Sequence, residues 1–84
     1  MGIRIVHEAE PYRMITDGLG RFAVIEARNG RVYAINCDHG RCEAEDTPEG
    51  MREVARGAWC DHERAGRQFL HMARGEKHYA ETLW

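Results

Sequence analysis

The stretch RFAVIEARNGRVYAIN, residues 21–36, decides the fold. Two runs rich in β-branched and aromatic residues flank the pair Asn29-Gly30. Asparagine and glycine both tolerate the positive φ angles that a two-residue type I′ turn requires at its two central positions. The stretch therefore predicts a β-hairpin whose turn sets Arg28 opposite Arg31.

The predicted hairpin has two different faces, because side chains along a strand alternate with a period of two residues. One face is apolar and mostly small, which suits a helix lying close on it: Ala23, Ile25, Ala27, Val32 and Ala34. The other face is apolar at its base, where Phe22 is predicted to pair with Cys37, and charged at the Arg28/Arg31 tip. Like charges opposite one another are unfavourable, so we expect this tip in water or against an acidic partner.

Two more strands are predicted before the hairpin, over residues 2–7 and 12–16, with a break at Pro11 because proline lacks a backbone donor. The glycine-rich residues 17–20 connect the second strand to the hairpin. If Thr16 pairs with Arg21, then Tyr12 and Met14 fall on the small-residue face. This pairing predicts a larger surface for a helix to cover.

The part of the chain after the hairpin is predicted to be a loop followed by helices. Residues 37–46 have no periodicity, and Thr47 with Pro48 then forms a good helix start. Gly57 marks the expected end of that helix. Asp61 is expected to cap a second helix through about residue 74, with the apolar stripe Ala65, Phe69, Met72 and Ala73 and with Leu70 alongside. Residues 76–84 predict a last short helix.

These elements predict a single α+β domain over residues 1–84. It comprises a three- to four-stranded antiparallel β-meander over residues 2–36, a loop over 37–46 and a helical part over 47–84. Two or three helices are expected to pack on one face of the sheet, as a two-layer sandwich. The opposite face, with Phe22, Val24, Ile35 and Ile15, has no helix assigned to it, so either the first strand and a loop cover it or it is an interface. An apolar face of this kind predicts an interface with a protein partner or a second copy in a homodimer.

Composition narrows the possible functions of the 84 residues. A net charge of −2 argues against a general nucleic-acid binder, which normally carries a basic stripe. No apolar run approaches the roughly 20 residues of a membrane span, and the first residues lack the apolar core of a signal peptide. The odd count of 3 cysteines disfavours a closed disulfide framework. We therefore expect a cytoplasmic protein that binds neither membrane nor nucleic acid.

The pattern C-D-H-x-R occurs twice, at residues 37–41 and 60–64. With one further cysteine the two segments supply thiolate and imidazole groups, the ligands that structural zinc prefers: Cys37, His39, Cys42, Cys60 and His62. A zinc ion there would staple the loop to a helix start. The spacings differ from the common C-x2-C knuckle, however, and nothing in the sequence brings the two segments together. The alternative is that the cysteines act as small hydrophobic residues beside surface histidines.

An enzymatic alternative would use Cys60 and His62 as a thiol nucleophile and its base. Asp61 disfavours the thiolate, and there is neither an oxyanion signature nor a third member, so no catalytic residue is assigned. The leading prediction is a small non-enzymatic protein that acts by binding a protein partner or itself. The zinc domain is the first alternative, and thiol chemistry is the second.

Overall fold

A computed structural model describes residues 2–35 and 42–73. Those residues form one antiparallel sheet with its strands in chain order: β1 (Arg4–Ala9), β2 (Tyr12–Thr16), β3 (Phe22–Arg28), β4 (Arg31–Ala34) and β5 (Glu43–Glu45). Two helices follow, α1 (Pro48–Val54) and α2 (Glu63–Ala73). The predicted α+β class is confirmed, with one strand more than expected. The last predicted helix, residues 76–84, lies outside the described residues.

The central hairpin has the predicted turn and register. Asn29 and Gly30 have φ angles of 56° and 76°, both in the left-handed region that a type I′ turn needs. Arg28 lies opposite Arg31, and Glu26 lies opposite Tyr33. The turn therefore fixes the pairing of β3 with β4, as the sequence indicated.

The pairing of β2 with β3 differs from the prediction by one residue. Thr16 lies opposite Phe22, and Arg21 belongs to the connection, where its carbonyl oxygen accepts a hydrogen bond from the Thr16 hydroxyl at 2.8 Å. A shift of one residue moves every side chain of a strand to the other face. Tyr12 and Met14 therefore lie on the opposite face from the one predicted, and so does Ile15, which packs with Ala23 and not with Val24.

The two helices cover opposite faces of the sheet, so the predicted two-layer sandwich is wrong. On one face α1 closes a core of Ile3, Ile15, Ala23, Ile25, Val32, Ala44, Met51, Val54 and Ala55. On the other face Leu70 of α2 closes a second core with Met14 and Val24. The register of β2 gives this strand an apolar residue on each face, Ile15 on one and Met14 on the other, so both faces need a cover.

The region predicted as a loop, residues 37–46, contains β5. Glu43 pairs with Tyr33, and Ala44 pairs with Val32, with only Ala44 buried among the three residues of this strand. One apolar residue between two glutamates gives too weak an alternation to predict a strand. The strand is buried at Ala44 because α1 packs on it, and this tertiary contact cannot be predicted from the sequence of β5.

The start of α1 agrees with the prediction. Thr47 is the N-cap, its hydroxyl accepts a hydrogen bond from the Gly50 N–H at 3.0 Å, and Pro48 occupies the first turn. The helix ends at Val54, and Gly57 follows with a φ of 82°. Gly50 also permits a close approach, because a Cβ at that position would lie inside contact distance of the Glu45 carbonyl oxygen.

Arg13 on β2 links the sheet to the segment before α1. Its two terminal nitrogens donate to the two carboxylate oxygens of Asp46 at 2.7 and 3.1 Å, and its Nε donates to Glu8 at 3.0 Å. The Arg13 side chain is only 16% exposed. Because the pair with Asp46 is bidentate and mostly shielded from water, it is stronger than an ordinary surface ion pair.

Asp17 organises the connection between β2 and β3. Its carboxylate accepts hydrogen bonds from the Leu19 N–H at 2.8 Å and from the Arg21 guanidinium at 2.7 Å. Burial pushes the pKa of Asp17 upward, but these bonds and the charge of Arg21 outweigh it and hold the pKa below its ordinary value. Arg21 also stacks over Trp59 at 5.0 Å, which joins the turn to the segment between the helices.

Candidate interaction surface

The predicted metal ligands divide between described and undescribed parts of the chain. Cys37 and His39 lie outside the described residues. Of the other two cysteines, Cys42 is disulfide-bonded and Cys60 is a free thiol. The odd cysteine count disfavoured a disulfide, so the oxidised Cys42 differs from that expectation. A sulfur in a disulfide is not a thiolate and does not ligate zinc in that state.

Cys60 occupies the position in the sheet that was predicted for Cys37. Its N–H donates to the Phe22 carbonyl at 2.6 Å, and the Phe22 N–H donates to the Cys60 carbonyl at 2.9 Å. Burial, and after it the negative charge of Asp61, raises the pKa of the Cys60 thiol. The thiol therefore stays protonated at neutral pH, which is the opposite of what a nucleophilic cysteine needs.

His62 caps α2, a role that the sequence assigned to Asp61. The His62 Nδ1 accepts a hydrogen bond from the Ala65 N–H at 3.2 Å, which satisfies one of the free amides of the first helical turn. The imidazole thus has a local structural role. Within residues 2–35 and 42–73, no three His, Cys, Asp or Glu side chains are grouped so as to hold a metal ion.

Cys42 and Cys60 lie at different positions along the sheet. The Cys42 carbonyl accepts from the Ala34 N–H, and Ala34 pairs with Ile25, whereas Cys60 pairs with Phe22. Three residues of a strand separate the two places on β3, which is about 10 Å. The structure therefore brings Cys60 and His62 to the start of α2, but it does not bring Cys42 to the same point.

The sheet face that was predicted to be uncovered is covered by α2. Phe22 and Ile35 pack against the core that Leu70 forms with Met14 and Val24. The helix lies close to the sheet there, since a Cβ on Gly66 would meet Met14 Sδ and Phe22 Cβ at 3.0 Å each. This face is part of the interior and does not provide the predicted interface.

The charged tip of the hairpin is compensated within the chain. The Arg28 guanidinium lies over the Tyr33 ring at 4.9 Å and 3.3 Å from the Glu26 carboxylate. Arg31 forms an ion pair with Glu43 on β5 at 2.6 Å. Each arginine therefore has an acidic neighbour already, and the tip has less attraction for an acidic partner than the sequence suggested.

Among the residues that the structure describes, one flank of α2 carries the largest exposed apolar groups that share one element. We call Ala65, Phe69 and Met72 the α2 stripe. Phe69 is 40% exposed and Met72 is 61% exposed, while Ala65 is half-buried. The sequence predicted these residues as core. The side of α2 that is buried carries Gly66 and Leu70, four residues apart, and of these two the sequence indicated only Leu70. Glycine adds no apolar side chain to the pattern, so the position of the buried side was not predicted.

Other exposed apolar side chains stand singly. Leu19 is 72% exposed in the turn between β2 and β3, and Ile5 is 40% exposed on β1. Scattered apolar residues of this kind are normal on a protein surface. The α2 stripe differs because its members follow at intervals of four and three residues, the spacing with which a helix presents one side to a partner.

No helix in the described part of the chain has the length and apolar character to cross a membrane. Comparison with known proteins gives no match, whether to a protein-family model, to a curated protein or to a solved structure.

Proposed function

We propose that the protein is a small non-enzymatic interaction module that binds an apolar segment of a protein partner through the α2 stripe. The observation that carries this proposal is the exposure of Phe69 and Met72, three residues apart on one side of a helix. Helices with anchors at such spacing bind by placing the apolar side against a complementary surface of the partner. Phe69 and Met72 are the anchors in this proposal.

The size of the stripe favours a weak or transient complex. The exposed parts of Phe69 and Met72 come to about 200 Å², taking roughly 200 Å² for a whole large side chain. A stable interface buries about 800 Å² on each partner. A partner that envelops α2 adds surrounding area, and a few anchors carry most of the binding energy in such complexes. A homodimer built from two stripes alone would be unstable.

Two features of the described residues support a non-enzymatic role. The raised pKa of Cys60 keeps its thiol protonated. The His62 Nδ1 is engaged by the first turn of α2 and does not contact the thiol in any hydrogen bond given by the structure. These side chains serve the sheet and the helix cap, and no reacting pair is required to explain their positions.

The experiment that tests the proposal is selection of binding peptides from a displayed random library, with the full chain as bait. Affinities of the selected peptides are then measured by fluorescence anisotropy for the parent, for Phe69→Ser with Met72→Ser, and for Leu19→Ser. The last variant is a matched control, because Leu19 is an exposed apolar residue away from α2. We expect apolar peptides that bind the parent and the control and lose at least about tenfold in affinity for the stripe variant, as for anchor residues.

Selection that yields no stripe-dependent peptide would refute the proposal. Peptides that bind the stripe variant as well as the parent would refute it too. Size-exclusion chromatography with light scattering on the same proteins tests whether a second copy of the chain binds the α2 stripe. We expect a monomer, and a dimer that dissociates only in the stripe variant would replace the partner peptide with a second copy.

A further inference from the structure

The disulfide of Cys42 lies at the protein surface, immediately before β5. Cys42 is disulfide-bonded and exposed to solvent. Cys60 is a free thiol, so among the 3 cysteines of the chain the partner of Cys42 is Cys37. Exposed disulfides are generally the labile or regulatory ones, because a reducing thiol can reach their sulfur atoms. The position of Cys42 therefore allows the bond to be reduced while the protein stays folded.

The strand that follows Cys42 is short and weakly anchored. β5 has 3 residues, and only Ala44 among them is buried. The Cys42 carbonyl accepts a hydrogen bond from the Ala34 N–H at 2.9 Å, which continues the pairing with β4 up to the disulfide. The ion pair between Glu43 and Arg31 is exposed, and such pairs contribute little to stability. The disulfide thus fixes the end of β5 at which its pairing with β4 begins.

The helix α1 rests on this strand. Ala44 belongs to the core that α1 closes, and Gly50 of α1 approaches the Glu45 carbonyl oxygen closely. The same carbonyl accepts a hydrogen bond from the Thr47 N–H at 2.8 Å, at the N-cap of the helix. Separation of β5 from β4 would therefore loosen the seat of α1. It would also leave β4 as the edge of the sheet, with unpaired N–H and C=O groups.

We propose that the disulfide of Cys42 is a redox-sensitive lock that holds β5 against β4 and is opened by a dithiol reductant. A thiolate of the reductant attacks one sulfur of the bond, the S–S bond breaks, and a mixed disulfide forms. The second thiol of the reductant then displaces the remaining cysteine sulfur. Two electrons and two protons pass to the protein, which gains two cysteine thiols, and the reductant becomes a disulfide.

The reductant must come from outside the chain. Cys60 is the remaining thiol, but its place along β3 is about 10 Å from that of Cys42. The lock is also separate from the α2 stripe, because Ala44 and α1 close one core and Leu70 of α2 closes the core on the opposite face. Failure of the lock would therefore leave the proposed function standing, and failure of the proposed function would leave the lock.

The size of the effect follows from the loop that the bond closes. Residues 37–42 form a loop of six residues. In the chain-entropy account, closing such a loop shifts the equilibrium between the paired and the open segment by roughly 40-fold at most. Measured effects often fall below this limit, so we expect reduction to increase the opening of β5 by about 10- to 40-fold.

Amide hydrogen exchange, followed by NMR before and after addition of dithiothreitol, tests the lock. The Ala34 N–H, which bonds to the Cys42 carbonyl, reports one end of β5, and the Asp46 N–H reports the other end. The Ala27 N–H bonds to the Pro11 carbonyl at 2.7 Å, away from β5, and serves as the internal reference. On reduction we expect the two reporters to exchange about 10- to 40-fold faster and the reference to stay unchanged.

Two variants identify the bond that is responsible. Cys42→Ser in dithiothreitol should show the fast exchange of the reduced parent. Cys60→Ser is the matched control, since it removes the free thiol, and it should respond to dithiothreitol as the parent does. Reduction of the unsubstituted chain needs no substitution, so the comparison holds even where Cys42→Ser does not fold.

Mass spectrometry of the oxidised protein should show Cys42 linked to Cys37 within one chain. A link to a second chain would overturn the inference, and so would a bond that dithiothreitol reduces only in urea. Reporter exchange that does not change on reduction would overturn it as well. Equal acceleration of the Ala27 reference would do the same, because it would indicate loss of the whole fold and not release of β5.

Discussion

Replacing Gly50 with alanine should destabilise the protein, although the same change stabilises an ordinary helix. Gly50 lies in the first turn of α1, where the helix rests on β5. A Cβ at this position would overlap the Glu45 carbonyl oxygen and lie 3.0 Å from the Glu45 carbonyl carbon and 3.3 Å from Ala44 Cβ. Most of these atoms belong to the backbone of β5, so no side-chain rotation relieves the overlap and α1 must move away.

The size of the effect follows from one stabilising and two destabilising contributions. Alanine gains about 1 kcal/mol over glycine in a helix. A displacement on the order of 1 Å loses roughly a quarter to a half of the contacts that it opens. Met51, Val54 and Ala55 are the buried apolar side chains of this region, and their burial is worth roughly 5 kcal/mol. With about 1–2 kcal/mol of residual overpacking, we expect a net destabilisation of about 2 kcal/mol.

Urea unfolding followed by circular dichroism measures this difference. With an m-value of about 1 kcal/mol per molar for so small a chain, the midpoint should fall by about 2 M. Gly66→Ala is the matched control, since its new Cβ would meet the flexible end of Met14 as well as Phe22 Cβ, at 3.0 Å each. We expect the control to change stability by less than about 1 kcal/mol. A higher midpoint for Gly50→Ala would refute the close contact of α1 with β5.

Four further measurements test other parts of the structure. Because the pKa of Asp17 is lowered in the folded state, its contribution to stability is complete above the unfolded value of 3.8 and is lost as the pH falls below it. Asp17→Asn should therefore flatten the acid limb of a plot of urea midpoint against pH, and an unchanged limb would contradict this. Arg13→Ala should cost about 1–2 kcal/mol in the same assay, whereas Arg67→Ala, which breaks an exposed pair within α2, should cost less than about 0.5 kcal/mol. Equal losses would count against the shielded bidentate pair. Iodoacetamide should label Cys60 more slowly than a free thiol at neutral pH, and the labelling rate should rise in urea. Fast labelling of the folded protein would support a thiol-dependent activity. Protein purified without chelator should contain no stoichiometric zinc, and one zinc per chain with a stability loss in EDTA would restore the metal interpretation.

The sequence predicted the parts of the fold that a few local residues specify. Asn29-Gly30 specifies both the turn and the β3–β4 register, because few other residue pairs adopt two successive left-handed conformations. Thr47 and Pro48 specify the start of α1 through one side-chain hydrogen bond and one fixed φ angle. In each case the structural cause lies within four residues of the feature it produces.

The predictions were wrong where a structural feature depends on residues distant in the sequence or on a hydrogen bond to the backbone. The Thr16 hydroxyl binds the Arg21 carbonyl and so lengthens the connection by one residue, which reverses the faces of β2. That reversal moved the expected interface into the interior, because α2 then had an apolar face to cover. The candidate surface was missed for the same reason, since Phe69 was assigned to the core that Leu70 fills.

Close packing through glycine explains why apolar side chains remain exposed on α2. Gly66 brings the helix against Met14 and Phe22 without a side chain of its own, and Leu70 is the residue that α2 contributes to the core with Met14 and Val24. Phe69 then projects beside this contact and not into it. Adjacent residues of a helix point about 100° apart, so Phe69 lies beside the side of α2 that carries Gly66 and Leu70, and its exposure follows from how α2 meets the sheet. Replacing Phe69 should therefore weaken binding while the cores closed by α1 and by Leu70 stay intact. Urea unfolding of the same variant separates loss of the α2 stripe as a surface from loss of the fold.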